Sequence, residues 1–164
     1  MRSWFPLYAG VASLVLSLAC APAPTALSEA HAAAIRDSVT QAQTRFRELS
    51  ARAHWDSLGA FYSTAPGFRF AESGAVQYRS ATEVRRALSR MPAGTRIETS
   101  YRDSEIDAVA PGVAVLTTLF ETSFVDTTGA RFSFGGAVTL LWVHESAGWR
   151  IRAGHSSAPV PRPG

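Results

Sequence analysis

Two residues of this chain, His155 and Glu72, have side chains that could transfer a proton. His155 follows Trp149 and Ile151 at even spacing on a predicted last strand, so the three side chains are expected to share one apolar face. An imidazole there could act as a general base or donate a hydrogen bond to a ligand. Glu72 lies in or beside a predicted Ser-Gly turn and could share the proton transfer. The structural alternatives are a histidine bonded to a backbone carbonyl or to Tyr62, and a solvated glutamate.

Aromatic side chains form the second set with a possible functional role, because aromatic and apolar groups line most small-molecule pockets. Five could border a cavity: Trp55, Tyr62, Phe70, Tyr101 and Trp142. Residues of this kind are found more often in a core than around a ligand, so we expect about two of the five to contact a cavity.

Metal, nucleophile and phosphate chemistry have little support in the sequence. The histidines at 31, 54, 144 and 155 show no two-ligand spacing on one element. The chain has no Gly-x-Ser-x-Gly elbow and no glycine-rich phosphate loop. We therefore predict no metal site and no cofactor.

The single cysteine, Cys20, ends an apolar N-terminal segment that Pro6 and Gly10 interrupt. The segment is shorter than the roughly 20 residues that a bilayer span needs, so it predicts an export signal. The run Leu-Ser-Leu-Ala-Cys at 16–20 resembles the lipobox of bacterial lipoproteins, whose cysteine carries the lipid and becomes the new N-terminus. The alternative is an ordinary signal peptide followed by a free thiol, although single thiols are uncommon in oxidising compartments.

The lipobox resemblance implies an exported protein, held at a membrane of the cell envelope by lipid on Cys20. Ala21 follows the cysteine instead of the Asp that retains many lipoproteins on the inner membrane, so the outer membrane is favoured where a cell has two. The predicted organisation is a signal peptide (1–19), a lipidated flexible tether (20–27), one domain (28–157) and a Pro-rich tail (158–164).

The charge pattern argues against nucleic acid as a partner. The chain has 16 basic residues, all of them arginine, against 13 acidic ones, for a net charge of +3. Only Arg85 and Arg86 are adjacent, and no basic stripe with interleaved aromatic residues occurs.

The first half of the domain has a helical pattern. Ser28 is a plausible N-cap for a long amphipathic helix, whose predicted buried face comprises Ile35, Val39, Ala42, Phe46, Leu49 and Ala53. A shorter helix is predicted to run from Trp55 through Tyr62 and to end near Pro66. The Ser-Ala-Thr-Glu run at 80–83 matches a capping box and predicts a third helix, which continues through Met91 and is stopped by Pro92.

The second half has a strand pattern. A short hairpin is predicted at 68–70 and 76–78 around Ser73-Gly74, and from Thr95 onward alternating β-rich runs are joined by turn sequences. The run 135–143 is apolar at successive positions, which predicts a central strand covered on both faces. Helices before a long antiparallel meander indicate an α+β domain with helices on one side of the sheet.

Four segments together resemble the nuclear transport factor 2-like superfamily, and in particular its SnoaL-like and ketosteroid-isomerase-like bacterial branch. They are 53–62 (AHWDSLGAFY), the strand 68–71, the helix start at 80–86 (SATEVRR) and the ending 148–157 (GWRIRAGHSS). The resemblance spans residues 29–157. It implies a cone-shaped α+β barrel, with three helices that close a curved antiparallel sheet around a pocket, and commonly a homodimer formed through the sheet.

The ketosteroid isomerases that this domain resembles use a carboxylate base, a tyrosine and a protonated aspartate. Matched by motif, the tyrosine position falls near Phe46, the aspartate near Thr139 or Leu140, and the base at Ala71 or Glu72. Only Glu72 has the required chemistry, so the resemblance implies an incomplete isomerase site.

Three functions remain open from the sequence. The first is a lipid-anchored envelope domain that binds a small, mostly apolar ligand without converting it. The second is an acid/base enzyme of the isomerase, cyclase or dehydratase type that uses His155 and Glu72. The third is a non-catalytic, dimeric interaction domain whose barrel is filled by side chains.

Overall fold

Residues 26–159, which the computed structural model describes, place three helices against one six-stranded sheet. The elements are α1 (Glu29–Ala51), α2 (Trp55–Gly59), β1 (Arg69–Glu72), β2 (Ala75–Tyr78), α3 (Ala81–Leu88), β3 (Arg96–Ala110), β4 (Val113–Val125), β5 (Arg131–Glu145) and β6 (Gly148–Ser157). The predicted signal peptide and Cys20 lie outside the described residues. None of the helices within 26–159 is long and apolar enough to cross a lipid bilayer.

The long first helix follows the predicted pattern. The Ser28 hydroxyl accepts a hydrogen bond from the backbone N–H of His31 at 3.3 Å, as expected of an N-cap. Val39 is fully buried on the predicted apolar face, and the other helical members of that face pack against the same core. Ala53 is the exception, because the helix ends at Ala51 and Ala53 has a φ of 56°.

The second helix is shorter than predicted and does not include Tyr62. After Gly59 the chain runs alongside β6, where Tyr62 forms an isolated parallel bridge to Ile151. The backbone N–H of Ser63 donates to the Ile151 carbonyl at 2.9 Å, and the Ile151 N–H donates to the Phe61 carbonyl at 2.7 Å. Pairing with a distant strand therefore overrides the local helical pattern.

The capping box of the third helix is confirmed. The Ser80 hydroxyl accepts from the Glu83 N–H at 3.2 Å, and the Glu83 carboxylate accepts from the Arg79 N–H at 2.6 Å. The helix ends at Leu88, three residues earlier than the predicted extension through Met91.

The α+β class is confirmed, with a sheet in the order β2-β1-β6-β5-β4-β3. Strands β3 to β6 form the predicted antiparallel meander, and β1 and β2 form the predicted hairpin. β1 pairs with β6 in parallel, so the sheet is mixed, and it stays open between its edge strands β2 and β3 instead of closing as a barrel.

The helices cover one face of the sheet, which we call the inner face. Leu116, Leu140 and Trp142 point to that side and form the core with Val39 of α1. The prediction that 135–143 is covered on both faces is wrong for the described residues, because Thr139 is exposed on the opposite, outer face. β5 does lie inside the sheet, between β4 and β6.

Candidate functional site

A cavity of about 240 Å³ lies between the inner face of the sheet and the three helices. Every helix and every strand contributes to its wall. The residues that line it are Phe46, Ser50, Leu58, Tyr62, Phe70, Glu72, Tyr78, Leu88, Ile97, Thr99, Tyr101, Phe120, Thr122, Phe134, Val138, Leu140, Ile151 and Ser156. This volume is below the roughly 300–1,000 Å³ of pockets that hold drug-sized ligands, so only a small molecule would fit.

The strands direct alternate side chains into this cavity. On β3, Ile97, Thr99 and Tyr101 point inward, as their alternation with polar residues predicts. The Thr99 and Thr122 hydroxyls on neighbouring strands are joined at 2.9 Å, which fixes this part of the wall.

Aromatic rings make up most of the apolar wall. The rings of Phe46 and Tyr62 meet edge to face, with centroids 6.0 Å apart, and those of Phe120 and Phe134 do the same at 5.9 Å. Edge-to-face contacts of this kind are favourable and hold the rings in defined orientations. The wall is therefore largely preformed.

The polar part of the cavity consists chiefly of three tyrosines and one carboxylate. Burial raises the pKa of Tyr62 far above its usual value, and the proximity of Tyr101, Tyr78 and Glu72 raises it further. Burial and then Glu72 raise the pKa of Tyr78, while a hydrogen bond with Gln77 opposes the rise. Burial raises the pKa of Tyr101 to about 12, against the opposing effect of Arg47.

Together these groups can bind a polar atom and can serve as proton donors and acceptors. The three phenols stay protonated at neutral pH, so each can donate a hydrogen bond. Within residues 26–159, Glu72 supplies the one carboxyl group on the cavity wall. A carboxylate surrounded by phenols can hold a cationic group or remove a proton from a bound molecule.

The expected position of His155 on the apolar face of β6 is wrong. Ile151 pairs with Trp142, but Ala153 pairs with Leu141, so Arg152 is an extra residue that forms a β-bulge. A bulge of one residue reverses the alternation beyond it. His155 is therefore exposed on the outer face, and the neighbouring Ser156 lines the cavity instead.

The bulge itself is held by contacts made by Arg152. Its guanidinium donates to the Ala65 carbonyl at 2.8 Å and also to the carbonyl of Pro66. These contacts connect the bulge to the segment that follows Tyr62. The segment from Tyr62 to Pro66 therefore contacts β6 both at the bulge and at Ile151, just before it.

The reversed alternation also turns Gly154 toward the cavity, where only a glycine fits without displacing a neighbour. A Cβ at this position would lie 2.5 Å from Cε2 of Phe70 and 2.9 Å from Cδ2 of Leu140. Gly154 therefore lets the Phe70 ring pack closely against β6 as part of the wall.

Of the five aromatic residues predicted to border a cavity, three do so: Tyr62, Phe70 and Tyr101. Trp142 is instead fully buried in the core, where its ring meets Phe61 edge to face with centroids 6.4 Å apart. Trp55 begins α2 and is not part of the cavity wall. Glu72 is part of the wall, so the structure brings together four of the predicted site residues and leaves out His155, Trp55 and Trp142.

Sequence reasoning missed several lining residues, among them Tyr78, Phe120 and Phe134. The hairpin pattern contained a usable signal for Tyr78, because it pairs with Phe70 and so shares its face. Phe120 and Phe134 alternate with Glu121 and Gly135, which marks them as inward-facing once the strand is known.

The positions matched to the ketosteroid isomerase site are only partly in the cavity. Phe46 and Leu140 line it as apolar side chains. Ala71 and Thr139 instead lie on the outer face, where each is a strand partner of His155. Phenols are supplied from other elements, by Tyr62, Tyr78 and Tyr101.

Two further features of residues 26–159 bear on the choice of site. A larger depression of about 840 Å³ lies between Leu119, Gly136 and Pro159, and one of its walls is the last described segment of the chain. No group of three or more His, Cys, Asp or Glu side chains in this range is arranged to hold a metal ion.

Comparison with known proteins supports the fold. The nuclear transport factor 2-like superfamily protein of Salmonella enterica serovar Typhimurium is 17% identical, with a TM-score of 0.65 over 80% of this chain and 95% of that one. A proposed dehydratase of the same fold family from Streptomyces avermitilis is 19% identical, with a TM-score of 0.65 over 77% and 97%. A proposed scytalone dehydratase from Novosphingobium aromaticivorans is 9% identical, with a TM-score of 0.69 over 78% and 86%.

At these identities the structural relatives show the fold alone. No curated protein matches the sequence. The model of the SnoaL-like domain family matches residues 39–161, which is most of the chain. The chain therefore belongs to the SnoaL-like domain family, with the nuclear transport factor 2-like fold.

Proposed function

We propose that this domain binds a small, mostly apolar molecule in the cavity between the sheet and the helices. The observation that carries the proposal is the cavity wall itself, which combines aromatic rings with a few polar groups, including Glu72 and Tyr62. This composition is typical of ligand pockets, in which apolar contacts supply affinity and a few polar groups set orientation.

A matched pair of variants tests this proposal. Val138 lines the cavity, whereas the next residue, Thr139, is exposed on the outer face. Small apolar compounds that raise the melting temperature of the full-length protein should lose that effect in Val138→Phe and keep it in Thr139→Phe. Mass spectrometry of molecules that co-purify with each variant should show the same difference. An equal ligand response in both variants would place the binding elsewhere and contradict the proposal.

Acid/base catalysis in the same cavity is the second candidate, because Glu72 lies close enough to Tyr62 and Tyr78 to raise their pKa values. In this reaction the Glu72 carboxylate would take a proton from a carbon next to a carbonyl group, and a phenol O–H would stabilise the enolate oxygen. His155 has no part in this version, since it lies on the outer face. The proposed dehydratases of similar fold lend it support.

Glu72→Gln separates the two candidates. An enzyme of this kind should lose most of its turnover in Glu72→Gln while it still binds substrate, and Tyr62→Phe should show a smaller loss. Glu121→Gln is the control, because Glu121 lies on the same sheet with its side chain on the outer face. Turnover that survives in Glu72→Gln would eliminate the catalytic candidate.

We also propose that the protein is exported and anchored in the cell envelope by lipid on Cys20, in the outer membrane of a cell with two. The support is the apolar segment and the Leu-Ser-Leu-Ala-Cys run at 16–20. Cys20→Ser should abolish labelling by a fatty-acid probe and release the protein from the membrane fraction. Unchanged labelling would refute the assignment.

The outer face of the sheet supports a homodimer. Leu119 of β4 is 38% exposed on this face, and Val115 of the same strand and Leu141 of the neighbouring β5 are half-buried there. Covering such a face with a second copy would remove apolar surface from water. Leu119→Arg should convert a dimer to a monomer in sedimentation experiments, and Leu88→Arg, on the opposite side of the sheet, serves as a cavity-side comparison. A wild-type protein that sediments as a monomer would exclude the dimer.

A further inference from the structure

The cavity excludes positive side chains even though the chain is rich in them. Residues 26–159 contain fourteen arginines, and none of them lines the cavity. Among the described residues, Glu72 is the only charged one on the cavity wall. Seven of the remaining wall residues are aromatic: Phe46, Tyr62, Phe70, Tyr78, Tyr101, Phe120 and Phe134.

Several arginines on the elements that form the wall donate hydrogen bonds to backbone carbonyls outside it. Arg69 of β1 donates to the Phe68 carbonyl at 2.7 Å, and Arg85 of α3 donates to the Gly59 carbonyl at 3.2 Å. Arg152 of β6 binds the loop after Tyr62, as described above. Arg47 of α1 is exposed to solvent and is not part of the wall, but its charge lowers the pKa of the Tyr101 phenol.

Glu72 is also free of a cationic partner within the described residues. The ion pairs of residues 26–159 join Arg36 to Glu29 and Arg131 to Glu98, so neither involves Glu72. A half-buried carboxylate without an ion pair is a favourable site for a cation supplied by a ligand.

The chemistry of this wall points to a charge preference. The faces of aromatic rings carry negative potential and attract cations, and quaternary or protonated amines are bound in this way by aromatic cages. The phenols add no negative charge at neutral pH, because the pKa of a tyrosine is about 10 in water and burial raises it further here. A carboxylate or phosphate ligand would instead meet the Glu72 carboxylate, and no cationic side chain of residues 26–159 lies on the wall to neutralise the ligand.

We propose that the ligand of this cavity is an apolar molecule with a positively charged amine, and that the ammonium group lies between Glu72 and the surrounding aromatic rings. This inference rests on the proposed binding function and specifies the chemical class of the ligand. The inference predicts that the cavity prefers cationic ligands to neutral or anionic ones of the same size.

Three probes of similar shape and different charge test the inference on the full-length protein. They are phenethylammonium, phenethyl alcohol and phenylacetate, and their binding can be measured by ligand-observed NMR. We expect the dissociation constant of phenethylammonium to be at least about tenfold lower than that of phenethyl alcohol, because one carboxylate and cation–π contacts both favour the cation. Phenylacetate should bind more weakly than both.

Glu72→Gln should reduce the preference for phenethylammonium over the alcohol to about twofold, since only the aromatic contribution remains. Glu121→Gln removes a charge of the same type from the outer face and should leave the preference unchanged. Loss of the preference in both variants equally would show that the total charge of the protein, and not Glu72, causes it.

The outcomes distinguish failure of this inference from failure of the proposed function. If phenethyl alcohol or phenylacetate binds as tightly as phenethylammonium, and Val138→Phe weakens that binding, the charge preference is refuted and the cavity remains a binding site. If none of the probes binds and Val138→Phe changes no co-purifying molecule, both the inference and the proposed function are refuted.

Discussion

Replacing Gly154 by alanine tests whether the β-bulge and the cavity wall are arranged as described. The new methyl group would lie 2.5 and 2.7 Å from two carbons of the Phe70 ring and 2.9 Å from Cδ2 of Leu140. Carbon atoms in ordinary contact are about 3.5–4.0 Å apart, so the ring must move by roughly an ångström or more. The open space beside Phe70 is the cavity, and we expect the ring to move into it.

The expected cost follows from two opposing effects. Overpacking a core position costs about 1–3 kcal/mol. Replacing a strand glycine by alanine returns about 0.5–1 kcal/mol, because the unfolded chain becomes less flexible. Because three atoms lie under 3.0 Å from the new carbon, the upper part of the overpacking range, about 2–3 kcal/mol, applies here. We therefore expect Gly154→Ala to lower the free energy of unfolding by about 1–2.5 kcal/mol, which corresponds to a fall in Tm on the order of 2–10 °C.

Urea denaturation of four proteins measures this effect: the wild type, Gly154→Ala, Phe70→Leu and the double variant. If the methyl group collides with the Phe70 ring, the Gly154→Ala cost should be about 1 kcal/mol smaller in the Phe70→Leu background. Gly154→Ala should also weaken binding of any cavity ligand, because the displaced ring takes up space. A Gly154→Ala variant as stable as the wild type, or with the same cost in both backgrounds, would refute the arrangement of Gly154 and Phe70.

Three shorter predictions concern buried polar groups. Ser63 is fully buried and donates to a Glu145 carboxylate oxygen at 2.6 Å, so Ser63→Ala should cost about 1–2 kcal/mol in urea denaturation, and an unchanged midpoint would contradict the role of this bond. The side-chain nitrogen of Gln43 is buried without a hydrogen-bond partner among the described residues, so Gln43→Met should be neutral or stabilising by up to about 1 kcal/mol, and a clear loss would reveal a partner. The pKa values of Tyr62 and Tyr101 are higher in the folded protein than in the unfolded chain. Above about pH 10 the unfolded phenols therefore ionise first, and the free energy of unfolding should fall as the pH rises from about 10 toward 12. Denaturation at increasing pH should show this loss, and replacing both tyrosines by phenylalanine should reduce it.

Local signals in the sequence were sufficient for most secondary structure. Ser80 and Glu83 satisfy the first N–H groups of α3 by themselves, so their spacing predicts where the helix begins. Ser73 and Gly74 have φ values of 50° and 83°, which suit a tight turn, and the pair therefore marks the hairpin. The alternation of Ile97, Thr99 and Tyr101 gave the correct inner face of β3 because that face is buried and the other is solvated.

The candidate site was predictable only in part, and the errors have two physical causes. Trp142 and Tyr62 are both large aromatic residues with the pattern of buried positions, and hydrophobicity alone does not show which of them borders an empty space. That depends on how well the surrounding side chains fill the volume between the helices and the sheet. Glu72 was among the predicted candidates and lines the cavity, but its proximity to Tyr78 and Tyr62 follows from three separate elements that meet in the fold.

The sequence by itself determined the helix starts and the hairpin, because each depends on residues within a few positions of one another. It also determined the family and the α+β class, through the order of such local segments along the chain. The tertiary structure decided which side chains of β6 reach the cavity, because the bulge at Arg152 arises from pairing with Leu141 and Trp142 on another strand. One extra residue in that pairing moves His155 to the outer face and Ser156 to the inner one. The composition of the cavity wall, in which Glu72 is the single carboxylate that residues 26–159 place among the aromatic rings, likewise exists only once every strand and helix is in place.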